Sequence, residues 1–324
     1  TTETLTTIPT TFEAGKSYTY KLTVGKNKIS VSGINVANWN TGTIINDGKA
    51  ELYAPYVTFK AEAEQKFKMT TYGGYSISGL QYSVNGGDWK TVVAGGEGVT
   101  FGGTNGDLRL RGTNIKGTAS GLNAYSTITF TNDVNVTCTG DIRTLLDWRN
   151  YSTVNTQNAK FCFLFKRCSV LTSAPDLPAT TLGYYCYFKM FEDCTSLTSA
   201  PELKATALAD YCYFSMFRGC TSLTSAPKLT ATELTYYCYS NMFYNCTKLS
   251  TVTMLAPSDQ ISKATSCCDN WLYNAGTDKT VTSRTLKVMD ADAYTALEGN
   301  SVLPAIWKKD AAGTTVKKED NTEI

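Results

Sequence analysis

Residues 194–219 read Cys194-Thr-Ser-Leu-Thr-Ser-Ala-Pro-Glu-Leu-Lys-Ala-Thr-Ala-Leu-Ala-Asp-Tyr-Cys-Tyr-Phe-Ser-Met-Phe-Arg-Gly, and the same pattern restarts at Cys220. The period is 26 residues without gaps. It aligns Phe165, Phe191, Phe217 and Phe243 in one column and Cys168, Cys194, Cys220 and Cys246 in a second. Leu171, Leu197, Leu223 and Leu249 form a third, and Leu177, Leu203, Leu229 and Leu255 a fourth. A repeat of this length cannot bury its apolar face alone, so successive units are expected to stack.

The unit divides into two halves. Leu197, Ala200 and Leu203 punctuate a run rich in Thr, Ser and Pro. Pro201 lacks a backbone donor and biases Ala200 away from the helical region, which predicts extended chain. In the other half, Leu208, Cys212, Tyr213, Met216, Phe217 and Cys220 recur as an apolar stripe that predicts a short helix. Ala205 and Thr206 precede it, where a hydroxyl can cap. One strand and one short helix per coil is the plan of a leucine-rich-repeat solenoid. Columns that drift in chemistry are expected to face solvent: Asp176, Glu202, Lys228 and Met254 in one, Glu192, Arg218 and Tyr244 in another.

The Cys194-Thr-Ser-Leu-Thr-Ser-Ala-Pro-Glu-Leu motif, followed by Tyr-Cys-Tyr-x-x-Met-Phe-x-x-Cys, resembles the BspA-type leucine-rich repeats of bacterial surface proteins over residues 160–256. The resemblance implies export to the cell surface, or secretion, and a role in attachment or recognition. Upstream, Gly15-Lys-Ser-Tyr-Thr-Tyr-Lys-Leu-Thr-Val with Ile29-Ser-Val-Ser and Asn38-Trp-Asn-Thr-Gly resembles the closing strands of fimbrillin-like domains, the builders of pilus subunits and surface lipoproteins.

Composition narrows the classes of function. The 324 residues carry a net charge of +2, without the basic face of a nucleic-acid binder. There is no histidine, so Ser-His-Asp and Cys-His mechanisms are excluded. No apolar run approaches the ~20 residues that span a bilayer. The abrupt Thr-Thr-Glu-Thr start suggests a processed or trimmed N-terminus. Of eleven cysteines, Cys162, Cys168, Cys186, Cys194, Cys212, Cys220, Cys238 and Cys246 lie in the repeats. Coils stacked about 5 Å apart come within disulfide reach, but side chains of one column point parallel, which favours unbonded ladders. No paired C-x-x-C motif points to zinc, and no cofactor is expected.

The predicted fold class is therefore α+β and multidomain. A β-hairpin or partial fimbrillin-like segment occupies 1–48. A β-sandwich follows at 49–137, with double glycines such as Gly86-Gly87 and Gly95-Gly96 punctuating short strands. Its expected strands fall at 52–63, 81–84, 89–93, 107–111 and 127–134. The solenoid takes 138–256, entered through a helical stretch at 140–148. Residues 257–324 form a C-terminal cap, with an apolar plug around Trp271, a strand at 280–289, a helix opened by Asp290, a final hairpin through Ile306-Trp and 314–318, and a frayed tail.

Three functions are weighed. The first is a non-catalytic recognition or adhesion protein that binds an extracellular protein or matrix component along the strand face, with Thr172, Asp176, Thr198, Glu202, Thr224 and Lys228 as candidate contacts and Tyr184, Tyr236 and Trp89 as exposed aromatic anchors. The second is a glycan-binding accessory protein that stacks sugars on Trp89, Tyr72, Tyr75 and Tyr82 of the sandwich. The third is a two-carboxylate glycosidase, for which no motif stands out.

Overall fold

The computed structural model describes residues 54–299 and 302–324 in full, and before residue 54 the backbone of four strands. The chain forms two compact units, 1–55 and 56–324. In the first, β1 (Lys16–Gly25) pairs antiparallel with β2 (Lys28–Asn38), with a register shift between Lys21 and Leu22. Two short strands, β3 (Ile45–Asn46) and β4 (Lys49–Ala50), pair likewise. Residues 1–15 of the expected N-terminal segment lie outside the described residues.

The second unit opens with two facing sheets. Its strands are β5 (Val57–Lys60), β6 (Gln65–Tyr72), β7 (Leu80–Val84), β8 (Lys90–Thr91), β9 (Val99–Phe101), β10 (Leu108–Gly112), β11 (Ala119–Gly121), β12 (Ala124–Phe130) and β13 (Thr137–Thr139). One sheet has the order β13-β5-β10-β7-β8, the other β11-β12-β6-β9. Strand β6 buries Gln65, Phe67 and Met69 in alternation, the period of a sheet with one wet face. Phe59 of β5 meets Phe67 at 6.2 Å and Phe130 at 5.3 Å across the interior. Residues 142–145 make one 3-10 turn whose cap, Asp141, accepts the Arg143 amide through its side chain.

The predicted fold class requires correction at the repeats. Among the described residues there are two α-helices, α1 (Ser258–Lys263) and α2 (Ala291–Gly299), and both follow the repeats. The chain is β-rich, and no coil carries a helix, so it is not an α+β leucine-rich-repeat solenoid. The expected helical half is instead a run of linked turns. Two facts explain this. Its apolar residues recur at a spacing of four, as in Leu182, Cys186, Met190 and Cys194, whereas a helix repeats every ~3.6 residues. Every fourth residue also takes a positive φ that no helix tolerates: Tyr185, Lys189 and Asp193, then Tyr211, Ser215 and Gly219, then Tyr237, Asn241 and Asn245.

Backbone donors in these turns alternate. Phe188, Met190, Glu192 and Cys194 donate to the carbonyl three residues back. Tyr187, Lys189, Phe191 and Asp193 donate across to Cys212, Phe214, Met216 and Arg218, at 2.7–2.9 Å. Half of the donors close each turn and half tie one 26-residue layer to the next. The extended halves meet through parallel bridges such as Ser173 with Ser199 and Leu177 with Leu203.

Side chains follow the same stacking. Leu171, Leu197, Leu223 and Leu249 are all fully buried. Phe165, Phe191, Phe217 and Phe243 stack at 5.3, 5.6 and 5.8 Å with planes within 3° of parallel. Phe161, Tyr187, Tyr213 and Tyr239 form a second ladder. The thiols of Cys194, Cys220 and Cys246 donate to the carbonyls of Phe165, Phe191 and Phe217 one layer back, at 3.0, 3.2 and 3.0 Å. All eleven cysteines are free and buried.

Two column assignments also change. Leu229 bridges to Met254, and Met254 is fully buried while Leu255 is only half-buried, because the last layer is one residue short there. Glu192 is buried, neutralised by Lys166 at 2.7 Å and Lys189 at 3.1 Å.

Both ends of the stack are closed by bonding. At the N-terminal end, Ile128 of β12 donates to Leu164 and Thr172 donates to Val136, while Phe59 packs on Phe165 at 6.2 Å. At the other end a fifth layer of turns spans 264–276, offset by 29 residues: Tyr239 donates to Cys267 and Phe243 to Trp271. Trp271 and Leu272 occupy the places of Met242 and Phe243, and the connection before them holds α1. The extended side continues as a parallel sheet of β14 (Thr251–Met254), β15 (Arg284–Val288) and β16 (Thr314–Lys318), so the expected final hairpin is a strand laid parallel on β15. Ile306-Trp lies in a 3-10 turn, with Trp307 buried and its Nε1 donating to Ala275 at 3.0 Å. The tail returns on β16, where Lys318 donates to Thr322. One apolar core runs from Val57 to Val316.

Candidate ligand-binding site

On the strand face, the hydroxyls of Thr172 and Thr198 donate to the carbonyls of Val136 and Thr172, at 3.1 and 3.2 Å. Those groups serve the stacking of layers. Thr224 is exposed, and its carbonyl accepts from Ser250. Asp176 is exposed, Glu202 pairs with Lys204 at 3.4 Å, and Lys228 pairs with Glu319 beside the C-terminal strand. The acid, base and hydroxyl columns thus share one wet face without converging on a point.

Trp89 is half-buried in the sandwich. The Arg111 guanidinium lies 4.1 Å from its ring centre and 4.3 Å from that of Trp148, and the Tyr56 ring meets Trp89 edge-on with centroids 4.9 Å apart. One face of Trp89 is therefore already occupied by a cation, which serves packing. Tyr75 donates its hydroxyl to Gly117, and Tyr82 is half-buried.

The turn face is different. A second apolar cluster, separate from the main core, surrounds Phe163 and Phe188 and includes Tyr125, Tyr185, Tyr211 and Phe214. Rings connect in a continuous strip. Tyr72 stacks on Tyr125 at 4.9 Å, Tyr125 meets Phe163 at 4.2 Å, and Phe163 meets Phe188 at 5.4 Å. Phe188 then stacks on Phe214, and Tyr185, Tyr211 and Tyr237 follow one another at 5.1 Å. The cause is the four-residue turn. Its inward places hold Cys, Met and Phe, and the first positive-φ place of successive turns holds Tyr185, Tyr211 and Tyr237, each only half-buried.

Tyr184 and Tyr236 crown this strip, 47% and 41% exposed. They occupy the same place in layers two apart, with Asp210 at that place between them. Tyr184 stands edge-on to Tyr185 at 4.1 Å, and Tyr236 to Tyr237 at 4.2 Å, with interplanar angles of 68° and 84°. The Asp210 Oδ1 accepts the Tyr236 amide at 3.2 Å. A hydrogen bond with Tyr184 pushes the Tyr185 phenol up to about 12, and one with Tyr237 does the same to Tyr236. The Tyr185 and Tyr236 phenols therefore stay protonated at any physiological pH.

Sequence reading singled out Tyr184 and Tyr236 but missed Tyr185, Tyr211, Tyr237, Phe188 and Phe214. The signal was present in the Tyr-Tyr-Cys-Tyr pattern at 184–187 and 236–239, once the spacing is counted as four.

Among the described residues no group of His, Cys, Asp and Glu could hold a metal ion, and no helix is long and apolar enough to cross a membrane. Comparison with protein-family models, characterised proteins and solved structures returned no match.

Proposed function

We propose that this chain is a non-catalytic recognition protein that holds an extended macromolecular ligand along its stacked layers. The observation that carries the reading is the aromatic strip from Tyr72 to Tyr237, which repeats a contact once per layer and so suits multivalent attachment. Rigid rings packed edge-on against one another lose little entropy on binding. Catalysis has little support. Histidine is absent, and the two buried carboxylates among the described residues, Asp141 and Glu192, are each neutralised by their own basic partners.

The setting we propose is the bacterial cell surface or the exterior, as the resemblance to BspA-type surface proteins implies. The thiols are compatible with it. Burial pushes Cys186 and Cys238 up to about 12, so these groups are not thiolates and stay inert in an oxidising medium. The glycan-binding alternative centred on the sandwich is less favoured, because Arg111 already covers Trp89.

Solid-phase binding of the purified chain to matrix proteins and polysaccharides tests the reading. Saturable capture by at least one target is expected, reduced about tenfold or more when Tyr72, Tyr184 and Tyr236 are all replaced by Ser. Capture unaffected by that triple change would move the function to another face and overturn the proposal.

A further inference from the structure

We propose that Tyr184 and Tyr236, with Asp210 between them, form a two-platform site for a neutral, extended pyranose glycan. The inference rests on the recognition function above and names its ligand class.

The first argument is orientation. Phe188 and Phe214 lie within 5° of parallel, and Tyr211 and Tyr237 within 12°, so these ladder rings cover one another's faces and offer edges outward. Tyr184 and Tyr236 are turned across the ladder, at 76° and 83° to Tyr211. Neither ring is stacked face to face on a neighbour, and both are close to half exposed, so each keeps ring surface open to a ligand. A sugar ring presents a patch of C–H groups, which pack on such a face as other apolar groups do.

The second argument is spacing. Both rings touch Tyr211, at 6.0 and 5.5 Å, so the platforms are separated by two layers of the stack. Alternate residues of an extended β-linked glycan present the same face. Platforms two layers apart can thus engage sugars n and n+2 of one chain while n+1 passes over Asp210.

The third argument is charge. Asp210 uses Oδ1 for the Tyr236 amide, and a carboxylate has acceptor capacity beyond one bond. It complements hydroxyl donors. It repels a sulfated or uronic-acid chain, whose anions would lie directly above it. The site is also built in advance: each platform is held by its neighbouring tyrosine at 4.1 or 4.2 Å, so little ordering cost remains for binding.

Titration calorimetry of the full chain with β-1,4-linked glucan and mannan hexasaccharides, and with heparin as the anionic control, tests this. A neutral hexasaccharide is expected to bind, the trisaccharide to retain most of the affinity because it reaches both platforms, the disaccharide to bind about tenfold more weakly, and heparin not to bind. Tyr184→Ala and Tyr236→Ala are each expected to weaken binding about tenfold, and the double change to abolish it, with the circular dichroism spectrum unaltered because both rings are exposed. Tyr236→Phe keeps the platform and is expected to retain most of the affinity. Failure of every neutral glycan to bind, with capture of a matrix protein lost in the double variant, would overturn the glycan assignment and leave the recognition function standing. Undiminished capture of all targets by the double variant would overturn both.

Discussion

At the residue scale, the cysteines do more than fill space. Each thiol in the Cys194, Cys220, Cys246 column reaches back one layer to a phenylalanine carbonyl that already accepts an amide in its own turn. Cysteine is small enough for the interior and still carries a weak donor. Cys220→Ala removes a donor and leaves a small void, and should cost about 1–2 kcal/mol in urea unfolding. Every cysteine except Cys267 is pushed above its ordinary value, chiefly by burial, or for Cys268 by its bond with Cys267. The sign follows directly. Below about pH 8 the unfolded thiols and the ten folded thiols whose values are raised hold their protons, and stability is independent of these ten. Above it the unfolded chain loses protons that the folded one keeps, so stability falls towards a slope of about 1.4 kcal/mol per pH unit for each of the ten, Cys267 excepted. The urea midpoint should be flat from about pH 6 to 8 and fall steeply above 9. A midpoint unchanged at pH 10 would mean that the thiols are ionised in the folded protein.

At the scale of the element, the four-residue turn is the unit that matters. Its third positive-φ place is held by Arg167 in the first layer and then by Asp193, Gly219, Asn245 and Asn274, the last four being residue types that bear a left-handed backbone at least cost. At Gly219 a Cβ would also lie 2.3 Å from the Asp193 carboxylate, and φ is +74°. Gly219→Val is expected to destabilise by about 2–3 kcal/mol, while Asn245→Gly should change stability by less than about 0.5 kcal/mol. Thermal and urea unfolding of the two variants measure the difference. Similar losses in both would show that the backbone there is not left-handed. This element is also where sequence reading went astray. Apolar residues at i, i+4 and i+8 fit a helix and a four-residue turn equally well over one short window. Only the run Leu182, Cys186, Met190, Cys194, with Asp, Gly and Asn returning at one place, separates the two.

At the scale of the whole second unit, the sandwich, the layers and the C-terminal strands share one core. Phe59 extends the phenylalanine ladder at one end, and Trp307 seals Ala275 at the other. A stack with an open end would expose a file of apolar side chains, so its ends must be covered. Trp307→Ala should cost about 3–5 kcal/mol. If the shared core makes the unit cooperative, the loss will lower the sandwich transition, followed by Trp89 and Trp148 fluorescence, together with the backbone transition followed by circular dichroism. A sandwich signal that keeps its wild-type midpoint would show that the layers unfold separately.

The amino-acid order by itself determined the 26-residue register. Leucine, phenylalanine and cysteine columns are visible because identical neighbours one layer away demand identical residues. It also marked Tyr184 and Tyr236 as alike. What only the tertiary structure decided was how each layer is made and which groups remain free. The stack recruits alternate amides for bonds between layers, and a bond to a residue 25 places onward leaves no local trace in the chain. The same holds for Lys228, answered by Glu319, and for Trp89, covered by Arg111. Exposure is a property of what else packs nearby, and that is settled by distant segments of chain.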